Sequence, residues 1–155
     1  MNFELSEEQK MIQQSVERFV QENYDLPKRV ELSSQDPGYS KDYWNSMAEL
    51  GWLGLPFNEE DGGFGGNQID TLVIMEQFGK GLVLEPFLAN IVLGGGAIQM
   101  GGSEELKNEM LSSLIEGSKQ LALAYAEQQS RFDLEDVATS ARKEEDKYII
   151  NGQKS

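Results

Sequence analysis

A chain of 155 residues is long enough for one ordinary domain, or one domain plus part of another, and a hydrophobic share of 39% supplies a real core. With 13 lysines and arginines against 27 aspartates and glutamates, the formal net charge of −14 repels nucleic-acid phosphates and anionic membrane surfaces. The absence of histidine and cysteine excludes disulfides, zinc sites of the usual ligand type and every nucleophile–histidine dyad.

Any chemistry must therefore use carboxylates, hydroxyls, backbone amides or a borrowed cofactor, and no metal set is expected. The amino terminus, MNFELSEEQK, is polar and acidic, with no basic region leading into an apolar run, so it does not read as a secretory leader. No apolar stretch reaches the ~18 to 20 residues that span a bilayer. The expectation is a soluble, cytoplasmic protein.

Ser6 followed by Gln9 forms a capping box, and Met11, Ile12, Val16, Phe19 and Val20 recur at helical spacing to about Asn23. Pro27 should end that helix, leaving Glu31–Tyr39 as a loop. Ser40 caps a second helix whose stripe is Tyr43, Trp44, Met47 and Leu50, with Gly51 as its left-handed stop. Trp44 and Trp52 read as core anchors.

The stretch GWLGLPFNEEDGGFGG cannot hold regular structure. Its glycines are no dinucleotide fingerprint, because helices rather than strands flank it. Its acidic run Glu59–Asp61 lacks calcium-loop spacing, since Phe57 and Gln68 occupy the first and twelfth positions. A solvated, sharply turning loop is expected.

Ile69, Leu72, Val73 and Phe78 predict a third helix stopped near Gly79–Gly81. Pro86 suits the first turn of the next, whose nearly all-apolar Phe87, Leu88, Ile91, Val92, Ile98 and Met100 imply burial on most sides. Gly94, Gly95 and Gly96 within it mark either close approach of another backbone or of a ligand, or a break between two short helices. Ser103 caps a last helix carrying Leu106, Met110, Leu111, Leu114 and Ile115, and Gly117 ends it.

Beyond this point the period changes from helix to strand. Leu121, Leu123 and Tyr125 alternate with Ala122 and Ala124, predicting a strand that runs into a polar loop, where ligands are favoured. Val137–Ala141 and Tyr148–Ile150 are two further strands about a charged turn, Arg142–Lys147. Asn151–Gly152 is a strong hairpin signal, yet only Gln153, Lys154 and Ser155 follow it. An unfinished sheet of this kind suggests a piece of a longer protein, or a sheet completed by a partner.

The order of features resembles the acyl-CoA dehydrogenase family over essentially the whole chain. The residues carrying the likeness are Leu5, Glu8 and Gln9; Trp44, Leu50, Gly51, Trp52 and Gly54; Gly62, Gly63 and Gly65; Glu76 and Gly79; and Gly102–Glu105 before Leu111. Tyr148–Lys154 is similar to the family's hairpin leading into its Trp-Ile-Thr flavin motif. The resemblance implies a mainly α fold: an all-α helical domain over 1–119, then an incomplete antiparallel β-domain beginning at 120–155.

It also implies α,β-dehydrogenation of an acyl-CoA thioester by FAD, with an electron-transfer flavoprotein or similar acceptor and a homo- or hetero-oligomeric assembly. The base is a glutamate that in most of the family lies beyond Ser155, so no catalytic residue is expected within this chain. The chain alone should be inactive and bind FAD poorly. The family's flavin loop, Thr-Glu-Pro, two residues, Gly-Ser-Asp, falls on Ala126, Glu127, Gln128, Arg131, Phe132 and Asp133.

By this likeness Tyr125, Ala126 and Glu127 meet the flavin, while Phe132 and Asp133 meet the acyl-CoA. Leu84, Glu85, Pro86, Leu88 and Ala89 would line the acyl pocket. Ala126 lacks the family's threonine hydroxyl, Phe132 stands for a serine and Arg131 for a glycine. Two further readings compete: a non-catalytic or half-site small subunit that pairs with a catalytic homologue, and an acidic helical interaction module without a ligand.

Overall fold

The computed structural model describes residues 4–155. Met1–Phe3, on which the reading of the amino terminus partly rests, lie outside the described residues. The rest divides after Ala122 into two compact units.

The first unit is helical. Helix α1, Glu7–Asn23, starts with the capping box in full: Gln9 N–H donates to Ser6 Oγ at 3.1 Å and Ser6 N–H to Gln9 Oε1 at 3.0 Å. It buries Val16 and Val20 but leaves Met11 exposed. Pro27 does not lead into a loop as expected. The Asp25 carboxylate accepts Lys28 N–H at 2.7 Å and starts a new helix, α2, Leu26–Ser33, with Pro27 in its first turn. No N–H is needed there, so proline costs nothing.

Helix α3, Lys41–Glu49, is capped by Ser40 and buries Trp44 and Met47. A turning segment with one short 3-10 turn, Glu59–Asp61, then leads to α4, Gln68–Gly81. Gly63 is required in that segment, because a Cβ there would lie 2.3 Å from Phe57 O. A π-helical segment, Leu88–Gly95, continues into α5, Gly96–Gly101, and α6, Glu104–Ile115, completes the unit.

The core gathers Met47, Leu53, Phe57, Ile74, Ile91, Leu111 and Leu114, all with almost no solvent contact. Edge-to-face aromatic pairs run through it, from Phe19–Trp52 at 5.3 Å to Trp52–Phe78 at 6.0 Å and Phe78–Phe87 at 5.4 Å. Trp44 donates its indole N–H to Gly117 O at 2.9 Å, so both tryptophans are the anchors the sequence suggests.

The second unit corrects the strand boundaries. Leu121–Tyr125 is not a strand, since Leu121 N–H donates to the Asn90 side chain and Tyr125 N–H turns back to Leu123 O. The sheet is one antiparallel ribbon of β1, Ser140–Glu144, and β2, Lys147–Asn151. Ala141 pairs with Ile150 and Glu144 with Lys147, so the turn is Glu145–Asp146, with Glu145 at φ 53. Asn151–Gly152 makes no turn: Asn151 stays paired with Ser140. Among the described residues no helix is long and apolar enough to cross a membrane.

Candidate functional site

Two recesses in the helical unit share Leu88 and Met75 as lining residues. The larger, about 440 Å³, is walled by Phe57, Leu72, Met75, Leu88, Ile91 and Gly96, and no charged side chain borders it. The smaller, about 340 Å³, adds Glu85, Phe87 and Arg29 to Leu88. Of the expected acyl-pocket residues, Leu88 borders both and Glu85 one. Leu84, Pro86 and Ala89 border neither of these two.

A close approach is found at two positions of the glycine run, but the nearest atoms are core side chains rather than the expected backbone or ligand. A Cβ on Gly94 would lie 2.8 Å from Leu121 Cβ, and one on Gly95 only 2.4 Å from Phe57 Cζ. Gly96 has nothing within 4 Å. The groups that approach are side chains of the chain's own core.

Glu85 does not simply stand at a helix start. Its carboxyl is buried, accepting Ser40 N–H at 3.1 Å and the Tyr24 hydroxyl, and so ties together the ends of α1 and α3. Burial pushes this carboxyl above the usual carboxylate range, against the hydrogen bonds that pull it down. Burial and the neighbouring Glu85 likewise raise the Tyr24 phenol. The sequence carried no sign of this pair, whose partners are 61 residues apart.

In the second unit the loop after Tyr125 is organised by Glu127. Oε1 accepts Thr139 N–H at 3.1 Å and Lys154 Nζ at 2.7 Å; Oε2 accepts Gln129 Nε2 at 2.7 Å and Ala138 N–H at 2.8 Å. Lys154 first, then Thr139 and Gln129, hold the carboxyl well below its ordinary range. Ser130 closes the turn, accepting Glu127 N–H and donating to Glu127 O, and Ser155 N–H reaches Ala126 O at 3.0 Å.

The Ala126 N–H donates to no acceptor among the described residues. Thr139 Oγ1 is a buried hydroxyl oxygen without a partner, beside a polar hollow of about 550 Å³. Tyr125 is half exposed, and Phe132 projects wholly into solvent. Arg131, where the resemblance expects glycine, sits at φ 50, so the loop keeps a glycine-type backbone despite the side chain. Asp133 turns inward on its own loop, accepting Glu135 N–H at 3.0 Å.

Residues 6–118 match the family described as "Acyl-CoA dehydrogenase, N-terminal domain". The chain belongs to the acyl-CoA dehydrogenase family. It is 32% identical over 156 residues to "Probable acyl-CoA dehydrogenase YngJ" of Bacillus subtilis, covering 99% of this chain and 40% of that protein. It is 29% identical over 154 residues to the caffeyl-CoA reductase–Etf complex subunit CarC of Acetobacterium woodii, covering 97% and 40%.

A solved structure of an acyl-CoA dehydrogenase complexed with FAD from Bacillus anthracis superposes with a TM-score of 0.83 at 30% identity, over 97% of this chain and 26% of that one. The chain thus spans about 40% of the length of the curated relatives it matches. Its mainly helical fold with one short antiparallel ribbon agrees with the amino-terminal helical domain of the family and the start of its β-domain.

Proposed function

We propose that this chain is the amino-terminal part of a FAD-dependent acyl-CoA dehydrogenase, contributing one wall of the acyl pocket and the flavin loop to the full-length or assembled protein. The helical domain is 1–119 and the β-domain begins at 120. The observation that carries the acyl reading is the uncharged recess of about 440 Å³ beside Leu88, Ile91 and Gly96, within the family-matched residues. An apolar acyl chain is the ligand such a wall suits.

FAD, when bound, accepts the hydride in this chemistry. The chain's own part is positioning. Ala126 offers an unspent backbone N–H on a loop tied down by the four hydrogen bonds to Glu127, and that donor suits a flavin acceptor. The family's second contact, a threonine hydroxyl, has no counterpart at Ala126. Tyr125 would pack beside the ring system, and Phe132 and Asp133 would flank the thioester. An Etf-type acceptor is supported by the likeness to the caffeyl-CoA reductase–Etf subunit, and the cytoplasm is the compartment proposed.

Anaerobic titration of the full-length flavoprotein with acyl-CoA tests this directly. Bleaching of the visible flavin absorption is expected, and a protein that purifies colourless, alone and with any co-expressed homologue, would defeat the reading. A small-subunit role has specific support in the lost hydroxyl at Ala126 and the exposed Phe132. On that reading, flavin appears only when a catalytic homologue is co-expressed.

A further inference from the structure

We infer that Glu127 is a positioning residue that never touches the cofactor: its saturated carboxylate fixes the backbone on which the Ala126 N–H is presented. The inference rests on the flavin-loop reading above. A carboxylate offers about four lone-pair sites, and Glu127 receives four donors, two on each oxygen. Glu127 lines the polar hollow beside Thr139, but its lone pairs are taken and only 4% of the residue is exposed, so no acceptor site is left over for a ligand.

The four donors come from three parts of the unit. Gln129 belongs to the loop itself, Ala138 and Thr139 to the approach to β1, and Lys154 to the segment after β2. The carboxylate therefore joins the loop to both strands at the open end of the ribbon, where Ser140 pairs with Asn151. Ser130 fixes the Glu127 backbone from one side, while Ser155 fixes Ala126 O from the other. Among the described residues, Ala126 N–H is left unspent by this arrangement, as are the N–H groups of Gln128, Gln129, Arg131 and Phe132, and of these it is the one immediately before the fixed Glu127.

Lys154 shares the task. Its side chain is largely covered and its Nζ meets Oε1 at 2.7 Å, so the end of the hairpin segment that the family pattern places before Trp-Ile-Thr is latched to the loop 27 positions earlier. The latch gives one element two consequences, a fixed Ala126 amide and a fixed direction for the chain after Lys154.

The test uses the full-length flavoprotein. Glu127→Gln replaces one oxygen with an amide that confronts two donors, so at least one bond is lost. The expected result is a rise in the FAD dissociation constant of about tenfold or more, a changed visible flavin spectrum and a lower Tm. Lys154→Met should shift affinity and spectrum in the same direction by less, and Lys154→Arg should restore most of the parent's behaviour.

A lower Tm with the parent's FAD affinity and spectrum would make Glu127 merely structural and overturn the inference. If Glu127→Gln does not fold, Lys154→Met decides alone, and a parent-like affinity and spectrum there overturns it. A parent that takes up no FAD removes the flavin reading and the inference together; a parent that binds FAD as its variants do removes the inference only.

Discussion

Gly95 and Gly96 are neighbours in one continuous helical run, and the same substitution should have opposite consequences at the two. Gly95→Ala places a methyl 2.4 Å from Phe57 Cζ and 2.8 Å from Cε1. Phe57 is only 1% exposed and packed in the core, so its ring can yield only by moving into the recess it borders, and such overpacking costs about 1 to 3 kcal/mol. Gly96→Ala meets no atom within 4 Å. Both variants gain the same helix propensity, about 1 kcal/mol, which cancels when they are compared.

The gap between them should thus be the overpacking cost alone, with Gly96→Ala more stable than the parent and Gly95→Ala at or below it. For a chain of this size about 1 kcal/mol corresponds to roughly 2 to 4 °C in Tm. Guanidinium unfolding followed by the fluorescence of Trp44 and Trp52 measures the difference. Equal stability of the two variants, or the reverse order, would refute the packing argument.

Trp44→Phe removes the bond to Gly117 O and part of a buried ring, and should lower the unfolding free energy by about 2 to 3 kcal/mol, read from the same denaturation curves. The Glu85 carboxyl titrates above its ordinary 4.5 in the folded chain. Its contribution is therefore full below 4.5 and lost as pH rises through the raised value. Glu85→Gln should flatten the fall in stability between 4.5 and the raised value.

Glu127, held low, acts in the opposite sense: its contribution is present above 4.5 and lost as pH falls through the lowered value. Glu127→Gln should flatten the acid limb, and hydrogen exchange resolved by residue would assign each effect to its own unit. Phe132→Ser, at a wholly exposed position, should leave Tm unchanged within about 0.5 kcal/mol of stability. In the full-length protein it should tighten acyl-CoA binding, measured by titration of the flavin spectrum.

What the sequence made legible was local. The serine caps at Ser6, Ser40 and Ser103 are all in place, because a cap needs only residues three positions apart. The Asp25–Pro27 start was missed because a proline after a helical run reads equally as a stop or as a first turn. Alternation at Leu121–Tyr125 looked like a strand, but alternation without a partner gives no ladder, and the Asn90 side chain claimed the Leu121 amide. Leu88 and the Ala126–Glu127 loop are proposed as site residues from the family pattern; the structure adds the recess beside Leu88 and the bonds around Glu127. The roles of Tyr24, Ser40 and Lys154 depend on contacts across distant parts of the chain, which no spacing encodes.

The π-helical turn at Leu88–Gly95 bears on how this lineage tolerates insertions and deletions. A π turn carries an additional residue relative to the α pitch, and each residue of an α-helix rotates the face by about 100°. Deleting one residue between Leu88 and Gly95 would restore ordinary helical winding and keep the hydrophobic character of the segment. Because the wider turn takes up that residue, its loss would leave Gly96 and Ile98 near their present phase relative to Leu88 and Ile91, whereas a deletion within ordinary α winding would rotate the residues beyond it by about 100°. One residue of length here is thus absorbed by the width of the turn, and homologues differing by that residue would present the same face to the recess.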